Sequence, residues 1–108
     1  EWEERIMSVA KIALFCSGGM SSSLAGKHLS EVYKESNKNI DVEAYDLGMI
    51  DDVTDDADVI VLAPQISWAF DDIKSKFPSK KVIKLSIAEF GSMDGQVIAD
   101  RLKEEGVE

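Results

Sequence analysis

Ile12-Ala13-Leu14-Phe15-Cys16-Ser17-Gly18-Gly19-Met20-Ser21-Ser22-Ser23 is the stretch on which the reading of this chain turns. Four consecutive apolar residues fit a β-strand covered on both faces, here from Lys11 to Cys16. The two glycines release the backbone from strand geometry, and the serines offer helix caps. The stretch therefore reads as strand, loop, helix, with the helix running from about Ser21 to Glu35. The one cysteine of the chain stands at the strand end.

Working outward, Leu24, Ala25, Leu29, Val32 and Tyr33 form an apolar stripe on the first helix, as a helix with one buried face requires. Ile40 to Tyr45 alternates apolar and polar residues, which predicts a strand with one wetter face at a sheet edge. Gly48 to Ala57 is acidic, with Met49, Ile50 and Val53 expected to turn inward as one or two helical turns. Asp58 to Ala63 reads as a second doubly covered strand, stopped by Pro64 and Gln65. Ile66, Ala69, Phe70, Ile73 and Phe77 follow helical spacing up to Pro78. Lys81 to Leu85 is an edge-like strand and Ser86 to Phe90 a short turn or helix. Asp94 is expected to cap a last helix with Val97, Ile98 and Leu102 inward. The four methionines read as core filler.

Strands alternating with helices imply a three-layer α/β fold around a parallel sheet. The two doubly covered strands belong in the centre and the two wetter ones at the edges. With right-handed crossovers this gives a four-stranded sheet of order 2-1-3-4, flavodoxin-like, with a phosphatase-like cysteine loop. The chain reverses direction between strands one and three, and ligands bind outside the carboxyl ends of strands at such a point. Cys16 and its loop belong there, with Ala63-Pro64-Gln65 beside them.

The totals bound the function. Residues 1–10 are poorly patterned, and residues 11–108 suffice for a single domain. The net charge is −9, and ten acids with no Lys or Arg lie between Asp41 and Ile73. Such a surface repels phosphate backbones, so nucleic acid and anionic lipid are poor partners. A lone cysteine forms no internal disulfide and fits a reducing, cytoplasmic setting. No apolar run is long enough to span a bilayer, so direct membrane insertion is not expected. We expect a monomer without metal or cofactor.

At the cysteine loop, Gly18 and Gly19 can turn backbone N–H groups inward, and Ser17, Ser21, Ser22 and Ser23 add hydroxyls. The helix start following Met20 adds partial positive charge. Together these suit a phosphoryl group on the sulfur of Cys16. The plain alternative is a small buried cysteine followed by an ordinary glycine turn. A cysteine phosphatase of similar fold places Arg six positions after its cysteine, where this chain has Ser22. No Lys or Arg lies between Lys11 and Lys27, so a bidentate grip on an incoming phosphate dianion is missing. Gln65 either donates to a phosphoryl oxygen or satisfies loop backbone. His28, inside the first helix, reads as structural. Trp68 falls off the apolar stripe of its helix and offers a partner contact.

The residues Cys16 to Leu24, CSGGMSSSL, resemble the phosphocysteine loop of the enzyme IIB subunits of the bacterial sugar phosphotransferase system, lactose/cellobiose (chitobiose) class, whose usual pattern is C-S-x-G-M-S-T-S-L-L. The resemblance continues through Ala57-Asp58-Val59, Leu62-Ala63-Pro64-Gln65-Ile66 and Phe90-Gly91-Ser92-Met93-Asp94-Gly95, the last similar to Y-G-x-x-D-G. The departures are Ser22 for Thr, Ala63 for Gly and Phe90 for Tyr. The resemblance implies that Cys16 receives a phosphoryl group from a phosphohistidine of a IIA protein. It implies delivery to a sugar held in a IIC membrane permease, with the chain docking there only transiently. Two other readings remain: a low-molecular-weight cysteine phosphatase or arsenate-reductase-like enzyme, and a non-catalytic flavodoxin-like binding module.

Overall fold

The computed structural model describes residues 11–17 and 20–107, excluding the side chains of Met20, Ser21 and Ser22. Strand β1 (Lys11–Cys16) leads to helix α1 (Met20–Glu35), then β2 (Asp41–Asp46), a short acidic turn region containing α2 (Ile50–Val53), and β3 (Val59–Leu62). Helical turns over Pro64–Ala69 precede α3 (Phe70–Lys76), and β4 (Lys81–Lys84), α4 (Ile87–Gly91) and α5 (Gly95–Glu104) complete the order. All pairings are parallel and the strand order is β2-β1-β3-β4. The expected topology, with β1 and β3 central, is the observed one.

Burial explains that order. Strands β1 and β3 are covered along nearly their whole length, whereas β2 alternates between exposed and half-buried residues. Side chains of β1 alternate between two cores. Ile12, Leu14 and Cys16 join Leu29, Tyr33, Ile98 and Leu102 under α1 and α5. Ala13 and Phe15 join Ile60, Leu62, Ile66 and Ile73 on the opposite face. This is the three-layer arrangement.

Four expectations are corrected. Leu24 is 45% exposed and Val97 37% exposed. The buried line of α1 runs through Ala25, Leu29 and Tyr33 at four-residue spacing, so Leu24 sits one helical step, about 100°, to the side. In α5 the line runs through Gly95, Ile98 and Leu102, which turns Val97 outward. Met49 is exposed rather than inward, while Ile50 and Val53 pack against the second core. Among the methionines, Met93 packs partly against the first core, and Met7 and the Met20 side chain lie outside the described residues. The helix expected from Ile66 begins instead as tight turns over Pro64–Ala69, broken at Ile66, and becomes α-helical only at Phe70. Pro64 has no N–H, which suits the first helical position.

Candidate functional site

Cys16 is the last residue of β1, stands opposite Asp46 at the end of β2, and is 4% exposed. The strand's pleat points its side chain into the core under α1, together with Ala63, Leu85 and Phe90. Ser17 follows at the surface, and α1 begins at Met20, four positions after the sulfur. Of the expected loop, Gly18 and Gly19 lie outside the described residues, as do the side chains of Met20, Ser21 and Ser22. Ser23 is exposed on α1 and lines a shallow groove with Gly26 and Lys27.

The exit of β3 lies beside the exit of β1. The Ala63 amide donates to the Phe15 carbonyl at 2.9 Å, and Leu85 N donates to Leu62 O at 2.9 Å, so the ends of three strands are stitched together. This brings the 63–65 loop to the strand-end edge that carries Cys16. Gln65 is exposed there, on an apolar groove of about 340 Å³ shared with Pro64, Ile87, Phe90 and Gly91. Phe90, where the resembling pattern has Tyr, is buried in the same core as Cys16. Trp68 is 73% exposed, as its place off the stripe predicts. Ile87, which the sequence did not single out, is 80% exposed at the start of α4.

Two charged groups near this edge, Asp46 and Arg101, are already engaged. Asp46 stands next to Cys16 in register, and its carboxylate accepts from the Gly48 amide at 3.3 Å. Among the described residues the one arginine is Arg101. Burial lowers its pKa, but Glu105 at 3.0 Å and Glu89 at 3.2 Å outweigh burial and raise it above its usual value. Burial likewise pushes the Glu89 carboxyl up, but the Ser86 amide and Arg101 overcome this and hold it below the usual range. Glu89 and Ser86 cap α4 reciprocally. Arg101 thus serves as a structural tie.

His28 and Gly95 carry a contact that the sequence did not reveal. His28 Nδ1 donates to the Met93 carbonyl at 2.6 Å, joining the middle of α1 to the turn before α5. A methyl group at Gly95 would collide with the His28 carbonyl and lie 2.9 Å from the Leu29 nitrogen. Asp94 caps α5 through the Gln96 amide, as expected. The Asp-Gly pair was the available signal: a cap followed by a residue without a side chain marks close helix packing.

Among the described residues, no group of acidic, His or Cys side chains could hold a metal ion, and no helix is long and apolar enough to cross a membrane. A family model for the lactose/cellobiose-specific IIB subunit of the PTS system matches residues 11–101. The lactose-specific IIB component domain of the phosphoenolpyruvate:carbohydrate phosphotransferase system from Streptococcus pneumoniae superposes with a TM-score of 0.79 at 16% identity, covering 88% of this chain and 96% of that one. At that identity the likeness shows the fold. The cellobiose-specific phosphotransferase IIB component from Borrelia burgdorferi gives a TM-score of 0.67 at 26% identity, over 83% of this chain and 84% of that one.

Proposed function

The chain belongs to the lactose/cellobiose-specific IIB family of the sugar phosphotransferase system, and from that membership we propose that it carries a phosphoryl group on Cys16 between a IIA protein and a sugar bound in a IIC permease. The observation that carries this reading is the place of Cys16, at the carboxyl end of a central strand, at the switch point, four residues before a helix start. There the Cys16 thiolate attacks the phosphorus of a phosphohistidine on the donor. The P–N bond breaks, its electron pair returns to the imidazole, and a P–S bond forms. In the second half a sugar oxygen attacks the same phosphorus, the P–S bond breaks with its electron pair going to sulfur, the hydroxyl proton passes to solvent, and the thiolate is regenerated.

The chain's part is positioning and charge stabilisation, which loose phosphoryl transfer chiefly needs. The residues offered for it are the backbone of Ser17, Gly18, Gly19 and Met20 and the hydroxyls of Ser21, Ser22 and Ser23, with Gln65 as a second-loop contact. Arg101 is engaged by Glu89 and Glu105, which supports a carrier over a phosphatase needing a guanidinium on the incoming dianion. The reading places the chain in the cytoplasm, with Trp68 as an exposed candidate for partner contact.

Incubation with phosphoenolpyruvate, the general phosphotransferase proteins and a IIA protein of the lactose/cellobiose class tests the proposal. Intact-mass analysis is expected to show one added phosphoryl group on the wild type and none on Cys16→Ser. An unmodified wild type with several such donors, or rapid turnover of p-nitrophenyl phosphate, would overturn the carrier reading.

A further inference from the structure

The α1 helix that follows the cysteine loop is fastened at its middle by something more specific than apolar packing. Ala25, Leu29 and Tyr33 hold it on the sheet by apolar burial, whose driving force is non-directional. Gly26 faces the edge strand, where a methyl group would make ordinary contact at 3.7 Å with the Val42 and Ala44 side chains, so that side of the helix holds no close-approach constraint. The directional contact is His28. Its Nδ1–H donates to the Met93 carbonyl at 2.6 Å. The acceptor is a carbonyl, so Nδ1 must carry the hydrogen, as it does in the protonated ring and in one neutral tautomer.

The other side of this contact is built to receive it. Met93 adopts φ 54, in the left-handed region rare for residues with a side chain. Asp94 then caps α5, and Gly95 passes so close to the His28 backbone that a side chain would not fit. A left-handed residue, a cap and a close-approach glycine in succession bring one carbonyl to one histidine.

We infer that His28 is a positioning residue for phosphoryl transfer, setting the axial and rotational place of α1 and hence of the cysteine loop at its start. His28 lies about 12 Å along the helix from Met20, and its action on the site is through the helix. The inference rests on the carrier reading above and assigns the 90–95 turn a part in it. Misplacement of a reacting group by an ångström or less costs about tenfold to a hundredfold in rate.

The test measures single-turnover phosphorylation of the full chain by a phosphorylated IIA protein, well below the melting temperature, for wild type, His28→Asn and His28→Gln. The Asn amide nitrogen can stand where Nδ1 does, whereas the longer Gln places its nitrogen nearer the Nε2 position. His28→Asn is expected within about threefold of wild type. His28→Gln is expected to lose about tenfold or more at saturating donor, with the half-saturating donor concentration unchanged. Equal rates for all three, even with a lowered melting temperature in one, would reduce His28 to a stabilising contact and overturn the inference while leaving the carrier reading intact. A wild type that accepts no phosphoryl group removes both.

Discussion

Gly95→Ala offers a sharp check on how the helices are assembled. The new methyl group would fall against backbone, colliding with the His28 carbonyl and lying 2.9 Å from the Leu29 nitrogen. Neither atom is the end of a flexible side chain, so α1 and α5 must separate by several tenths of an ångström or more. That loosens Leu29, Ile98 and Leu102, all fully buried between them, and strains the His28 bond to Met93. Forced overpacking costs about 1–3 kcal/mol, and better helix propensity returns at most about 1 kcal/mol. The net expectation is a loss of about 1–2 kcal/mol, or roughly 4–16 °C in Tm for a domain of this size. Gly91→Ala is the matched control, because a methyl group there meets nothing within 4 Å. Urea unfolding followed by circular dichroism reads both. If Gly95→Ala is as stable as Gly91→Ala, the close approach of α5 to α1 is wrong.

Other perturbations test separate parts of the account. Ser86→Ala removes half of the reciprocal cap on α4 and is expected to cost about 1 kcal/mol by the same unfolding assay. Glu89 has a folded-state pKa below its ordinary 4.5, so its charged form stabilises the fold above that pH, and the gain disappears as pH falls through the lower folded value; the stability gap between wild type and Glu89→Gln should therefore be full at pH 7 and shrink in acid. The Tyr33 hydroxyl is buried without a hydrogen-bond partner among the described residues, and burial pushes its pKa up to about 12. Tyr33→Phe is therefore expected to leave stability unchanged or raise it by about 1 kcal/mol; a clear loss would show that the hydroxyl has a partner. Trp68→Ala is expected to change stability by no more than about 0.5 kcal/mol, its side chain being largely in solvent.

The sheet order was legible because burial writes itself into strands. Ile12 to Phe15 and Val59 to Leu62 are unbroken apolar runs, and Ile40 to Tyr45 alternates apolar and polar residues, so centre and edge separate without reference to the fold. Helix stripes were legible along their middle lines and not at their borders. Leu24 and Val97 lie one residue from a buried position, and only the neighbouring helix decides which side of the line is covered. The segment after Pro64 read as helix although it begins as tight turns, because tight turns and α-helix bury a similar set of apolar residues. The cap formed by Ser86 and Glu89 was present in the sequence as a Ser and a Glu three apart, but the segment is so short that its pattern left turn and helix both open. Cys16 was legible as the site candidate from its strand end and glycine loop. The His28 to Met93 bond was not, because it joins residues 65 positions apart.

The central claim is that Cys16 holds the phosphoryl group, and peptide mapping after phosphorylation by a IIA donor reads it directly. Tryptic cleavage at Lys11, Lys27 and Lys34 places Cys16 in the peptide 12–27 and His28, the one histidine of the chain, in the peptide 28–34. The account predicts a single phosphoryl group, carried by the 12–27 peptide and located on Cys16. A phosphoryl group on the 28–34 peptide, or a 12–27 peptide still modified in Cys16→Ser, would contradict it.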